Sequence, residues 1–149
     1  MSYTENVASK LNELLEKNYD AEAGYKQAAE QVSNPKLKSF FQEQAQARYD
    51  FGHQLKSEIK SFGQEPDKGT SLAADVHRTW INIKSTLAGN NEEAVLEECI
   101  RGEEEFIEDY NEILNETDLP NSTEAIVREQ KNQVQQALNK VRSMEELVD

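Results

Sequence analysis

Carboxylates and one arginine are the side chains of this sequence whose types and spacing could support chemistry inside a folded core. Arg48 lies on a stripe of apolar residues that recur three or four positions apart, from Leu37 through Phe51 to Phe62. Glu103 interrupts a second apolar stripe in the same way. Because a charged group among apolar side chains needs a buried partner, the sequence predicts that Arg48 pairs with Glu103.

The polar residues predicted to lie at the same level of the helices as Arg48 and Glu103 form a structural polar core. They are Glu22, Tyr25, Gln44, Arg48, Glu103, Tyr110 and Gln130. Tyrosine hydroxyls and amides complete hydrogen-bond networks in such cores, and a buried ion pair fixes the register of the helices around it. On this interpretation the core has a structural role, and no cofactor is expected.

The inward residues at this level of the helices have a second interpretation, which is a metal site. Its inward carboxylates, which could bind iron or manganese, would be Glu22, Glu103, Glu104 and Glu129. Di-iron sites in helical bundles also use a Glu-x-x-His motif on two of the helices, and this motif is absent from the sequence. The permanent positive charge of Arg48 would lie where the metal charge belongs.

The sequence contains no arrangement that supports nucleophilic catalysis. Cys99 lies on an apolar face and is predicted to be a buried hydrophobic residue. His53 is predicted to face solvent, and His77 has no nearby partners from which a site could be built. Since neither can be paired with a serine or cysteine from spacing alone, we favour a non-enzymatic protein with no catalytic residues.

Composition and charge narrow the class of protein. A chain of 149 residues with 30% charged and 36% hydrophobic residues fits one domain of amphipathic helices. The net charge of −13 disfavours nucleic acid and membrane surfaces as partners. No stretch could span a bilayer, no export signal is present, and the single cysteine agrees with a reducing compartment, so we expect a cytoplasmic location.

Turn and capping residues divide the chain into five predicted helices. Ser2 with Glu5 is typical of a capping box, and Asn34 followed by Pro35 supplies an N-cap and a first-turn proline. The third helix, which carries Trp80, follows a polar stretch. The predicted bounds are about 3–32, 35–62, 70–88, 92–115 and 122–146, within a single domain at 1–149.

The first and fourth predicted helices resemble copies of each other, and so do the second and fifth. At a constant offset, Leu11, Asn18 and Tyr25 correspond to Leu96, Glu103 and Tyr110. This correspondence predicts two antiparallel hairpins related by a pseudo-twofold axis and joined by a long crossover. The predicted fold class is therefore all-α, a ferritin-like four-helix bundle with a shorter fifth helix in the crossover.

Four motifs occur in an order and at a spacing that resemble a known family. They are Glu22-x-x-Tyr25-x-x-Ala28-Ala29, Ala45-x-x-Arg48-x-x-Phe51-x-x-x-Leu55, His77-Arg78-x-Trp80-x-x-x-Lys84, and Leu96-x-x-Cys99-x-Arg101-Gly102-Glu103-Glu104 with Tyr110. The chain resembles the uncharacterised bacterial family called domain of unknown function 2383. The resemblance implies a ferritin-like four-helix bundle, and the family has no assigned activity.

The acidic residues are concentrated in the fourth predicted helix. Between Glu92 and Asp118 there are twelve acidic residues and one arginine. Glu93, Glu97, Glu104 and Glu108 share a flank beside the apolar stripe. This flank is either a solvated, solubilising face or a docking surface, and we favour the solvated face.

Three functions stay open on the sequence alone. The preferred one is a non-enzymatic ferritin-like bundle that forms a homo-oligomer and has a structural or stress-related interaction role. The second is a ferritin-like metal-binding protein that uses the inward glutamates. The third is a helical adaptor whose acidic helix docks on a basic protein partner. The sequence does not define any small-molecule ligand.

Overall fold

The computed structural model describes residues 2–67 and 92–148, of which residues 31 and 145–148 are described by their backbone alone. These residues form four helices: α1 (Tyr3–Gln31), α2 (Pro35–Ser61), α3 (Glu92–Glu116) and α4 (Asn121–Val148). The described parts contain no strand, so the all-helical class is confirmed. The predicted helix at 70–88, with His77 and Trp80, lies outside the described residues.

Local capping explains where α1 and α2 begin. The Ser2 hydroxyl accepts a hydrogen bond from the Glu5 amide at 3.2 Å. The Asn34 side chain accepts hydrogen bonds from the amides of Lys36 and Leu37, and Pro35 occupies the first turn, as predicted. Because only residues 32–34 separate the two helices, α1 and α2 pack as antiparallel neighbours.

Three contacts set the topology of the bundle. The Tyr3 hydroxyl donates to the Asp118 carbonyl at 2.7 Å, which places the start of α1 beside the turn between α3 and α4. The Thr123 hydroxyl donates to the Glu58 carboxylate at 2.8 Å, which places the end of α2 at the same end of the bundle. The Asn34 amide donates to the Glu92 carboxylate at 3.1 Å, so α3 begins at the opposite end.

The bundle therefore consists of two antiparallel hairpins, α1–α2 and α3–α4. Helices pack most closely within a hairpin, and across the seam α1 packs on α3 and α2 on α4. Hence α2 and α3 occupy diagonally opposite corners. The core between the helices is apolar, with fully buried side chains such as Leu11, Phe41, Leu55, Leu96 and Val134. None of the helices in the described ranges combines the length and apolarity needed to cross a membrane.

Two glycines of α2 and its C-terminal turn provide a paired stability test. Gly52 lies inside α2, where an added Cβ would meet the Leu15 side chain at an ordinary 3.6 Å, whereas Gly63 follows the helix with a φ of +74°. We expect Gly52→Ala to raise the free energy of unfolding by about 0.5–1 kcal/mol, because alanine is the better helix former. Gly63→Ala should lower it by about 1 kcal/mol, because an L side chain is strained at that φ.

Urea denaturation of the two variants beside the parent measures both effects. A loss of stability in Gly52→Ala would show that Leu15 cannot accommodate the extra methyl group. An unchanged free energy of unfolding in Gly63→Ala would show that residue 63 does not need the left-handed conformation.

Candidate functional site

A buried ion pair lies at the centre of the bundle. Arg48 on α2 donates a hydrogen bond from Nη2 to Oε2 of Glu103 on α3, and both side chains have 0% accessible surface. Because α2 and α3 are diagonal neighbours, this bond crosses the axis of the bundle. Only long side chains can meet across that diagonal, which explains why an arginine and a glutamate occupy these two positions.

Aromatic rings surround the guanidinium group. The Arg48 Cζ atom lies 5.7 Å from the ring centroid of Tyr25, 5.7 Å from that of Phe51 and 5.3 Å from that of Phe106. Within the described part of the chain, Nε and Nη1 of Arg48 have no hydrogen-bond partner. The π faces of the rings compensate part of the hydration that these nitrogens lose on burial.

The charge states in the site follow from burial and from this pairing. Burial alone lowers the pKa of Arg48, but the Glu103 carboxylate and the nearby tyrosines raise it above its ordinary value. Burial raises the pKa of Glu103, and contacts with Arg48 and the Tyr25 hydroxyl oppose that rise. Burial, with Glu103 adding to it, raises the pKa of Tyr25 well above its ordinary value, so Tyr25 stays a neutral phenol.

A second polar layer links all four helices. The Tyr110 hydroxyl of α3 donates to the Gln130 side-chain oxygen of α4 at 2.8 Å. The Gln130 amide donates to the Phe51 carbonyl at 3.3 Å and to the Gln54 side-chain oxygen at 2.9 Å, both on α2. On α1, the Asn18 side-chain amide donates to the Leu14 carbonyl at 2.9 Å and interacts with the Tyr110 hydroxyl. These bonds satisfy buried polar groups at the seam between the hairpins.

The structure brings together most of the residues that the sequence placed in the polar core. The buried members are Tyr25, Arg48, Glu103, Tyr110 and Gln130. Glu22 and Gln44 are only half-buried, and Glu22 pairs with Lys26 at 2.8 Å beside an outer groove between α1 and α2. Gln54 was missed because it is exposed and lies off the apolar stripe, so no periodic signal marks it.

The four glutamates of the metal interpretation are not brought together. Glu103 is bonded to Arg48, and Glu22 is paired with Lys26. Glu104 is exposed and accepts a hydrogen bond from Arg142 at 2.7 Å, and Glu129 is exposed on α4. In residues 2–67 and 92–148, no three His, Cys, Asp or Glu side chains form a group that could hold a metal ion.

The cysteine and the described histidine lie outside any reactive arrangement. Cys99 is fully buried, and burial raises the pKa of its thiol well above the ordinary value, so it behaves as a small hydrophobic residue. His53 is exposed, as predicted, and its ring contacts that of Tyr49 at a centroid distance of 4.5 Å.

Comparison with protein families identifies the family of this chain. Residues 6–116 match the family described as Domain of unknown function (DUF2383). The chain belongs to this family. The matched region contains α1 from Asn6 onward, α2 and α3, and hence Arg48, Glu103 and the aromatic rings around them, whereas Gln130 lies beyond it on α4. No curated protein matches the chain.

A double-mutant cycle measures what the ion pair contributes to this member of domain of unknown function 2383. Arg48→Met should lower the free energy of unfolding by about 3–5 kcal/mol, because it leaves the Glu103 carboxylate buried without a cation. Combining Arg48→Met with Glu103→Leu should cost much less, because neither charge is then buried. Both values come from urea denaturation at one pH.

The exposed pair of Arg142 and Glu104 is the matched control, since its donor and acceptor groups are the same. Arg142→Met should change the free energy of unfolding by less than about 1 kcal/mol. An Arg48→Met variant as stable as the parent would show that Glu103 does not depend on this arginine. Equal losses in the single and double variants would contradict a stranded charge.

Proposed function

We propose that this protein is a non-enzymatic, ferritin-like bundle that acts through its surface as an interaction protein. The buried Arg48–Glu103 ion pair is the observation that carries this proposal. In ferritin-like metalloproteins, inward side chains of facing helices build the metal site in the middle of the bundle. Here a guanidinium and a carboxylate occupy the bundle axis and neutralise each other, and both are closed off from solvent.

The ferritin-like part of the proposal is supported by the order and direction of the helices. Two antiparallel hairpins pack side by side, α2 ends at one end of the bundle and α3 begins at the other. A connection between such points has to cover the length of the bundle, which is the topology of ferritin-like folds. Self-association, a stress-related role and a cytoplasmic location stay predictions.

Metal analysis tests the structural role of the core. Protein purified without a chelator should contain well under one iron or manganese ion per chain, because the Glu103 carboxylate at the bundle axis is already neutralised by Arg48. Elemental analysis per mole of protein makes the measurement. About one ion per chain, lost in Glu103→Gln but kept in the exposed Glu129→Gln control, would replace the proposal with the metal-binding alternative.

A second candidate function, docking on a basic protein, is favoured by the charge of α3. This helix carries eleven acidic residues and one arginine. Several carboxylates are engaged within the protein, including Glu103 in the core and Asp109, which lies 2.7 Å from Lys17. Others are exposed along the helix, namely Glu97, Glu108, Glu112 and Glu116. An acidic surface of this kind attracts basic partners and accelerates their association.

A charge-matched comparison tests this docking surface with a lysine-rich peptide as the probe. One variant changes four exposed glutamates of α3 to glutamine: Glu97, Glu108, Glu112 and Glu116. Its control changes four exposed glutamates away from α3, which removes the same number of negative charges: Glu30, Glu43, Glu65 and Glu129. Fluorescence anisotropy at low and at physiological ionic strength measures the dissociation constant of each.

We expect the α3 variant to bind the peptide roughly tenfold more weakly and the control at most about twofold more weakly. Binding of the parent should weaken as salt is added. Equal losses in both variants would mean that only net charge matters, and the docking candidate would then be abandoned.

A further inference from the structure

The chain that follows α2 is fastened to α1 at one place. The Asn12 side chain donates to the Glu65 carbonyl at 3.2 Å and accepts a hydrogen bond from the Asp67 amide at 2.8 Å. The Tyr19 hydroxyl donates to the Asp67 carbonyl at 3.2 Å. These three bonds hold the backbone of residues 64–67 along α1, and Asp67 is the last residue described before α3.

A pair of carboxyl groups lies among these bonds. Glu16 is one turn from Asn12 on the same face of α1, and its carboxyl group interacts with that of Asp67 in one groove. Two carboxyl groups can share a hydrogen bond only when one of them carries a proton. Both line a groove of about 360 Å³ together with further acidic residues, which are Glu5, Glu13 and Glu65.

The charged groups that face Glu16 do little to stabilise its ionised form beside Asp67. On α1, Glu13 adds negative charge, while Lys17 is the neighbouring cation that opposes it. The Lys17 ammonium group lies 2.7 Å from the Asp109 carboxylate of α3, so its charge is largely engaged there. From α2, the Lys56 ammonium group lies over the Tyr19 ring at 5.2 Å from its centroid.

We propose that Glu16 and Asp67 form a proton-dependent clasp, which closes residues 64–67 onto α1 in acidic solution and loosens as the pH rises above neutrality. The proposal does not depend on the function proposed above. The clasp comprises the Glu16–Asp67 carboxyl pair and the three hydrogen bonds from Asn12 and Tyr19.

The direction of the pH effect follows from the charge of the pair. Burial, then the hydrogen bond and charge of Asp67 and the charge of Glu13, raise the pKa of Glu16 from 4.5 to about 7, while Lys17 opposes the rise. In the open clasp Glu16 returns to its ordinary value, so the closed form binds the proton more tightly. The preference for the closed form is therefore complete below about pH 4.5 and is lost as the pH rises through about 7.

Hydrogen exchange of the Asp67 amide reports directly on the clasp, because that amide donates to Asn12. By NMR, with rates corrected for intrinsic exchange, its protection should fall roughly tenfold from about pH 5 to about pH 8. In Glu16→Gln the protection should be nearly independent of pH, since an amide donates to the Asp67 carboxylate without a titrating proton. The control Glu13→Gln removes the same charge in the same groove and should keep the pH dependence.

A second variant and a titration make the test decisive. Asn12→Ala should lower the Asp67 protection at both pH values, since it removes the acceptor of that amide. The carboxyl carbon of Glu16, followed by NMR, should titrate near pH 7. Protection that is independent of pH in the parent, titration of Glu16 at its ordinary pKa, or full protection in Asn12→Ala would each overturn the clasp.

Discussion

The ion pair between Arg48 and Glu103 constrains the rest of this bundle. Since the two residues belong to different hairpins and to diagonally opposite helices, their bond fixes both the docking and the axial register of the hairpins. If α2 or α3 shifted by one residue, the side chain of Arg48 or Glu103 would move by about 1.5 Å along the axis and turn by about 100°. The rings of Tyr25 and Phe106 make the burial of the charge tolerable.

The predicted pseudo-twofold relation explains the polar contacts between α1 and α3. Asn18 and Tyr25 correspond to Glu103 and Tyr110 in the sequence, and the contacts are exchanged as a twofold axis requires: Tyr25 interacts with Glu103, and Asn18 with Tyr110. The relation breaks in the other two helices, where Gln44 corresponds to the buried Gln130. Gln44 is only half-buried, whereas Gln130 is buried and accepts a hydrogen bond from Tyr110.

Local signals and periodic spacing account for what the sequence could predict. Asn34 and Pro35 specify a helix start by themselves, and the apolar spacing around Arg48 and Glu103 places both inside the core. Glu104 shows the limit of such reasoning, because it was included among the inward carboxylates but is exposed. It follows Glu103 in the helix, and one residue turns the direction of the side chain by about 100°. Asn12 could not be identified, because its partners depend on how residues 64–67 fold back.

A core whose charges cancel leaves the net charge of −13 to the surface. That charge is directional, because the acidic helix α3 lies diagonally opposite α2, which exposes Lys36, Lys38 and Lys60. Association of two copies through their α3 faces would bring like charges together, whereas α2 exposes Glu43 and Asp50 beside its lysines and offers a surface of mixed charge. A partner that binds the α3 surface therefore meets a preformed field and does not need the buried ion pair to open.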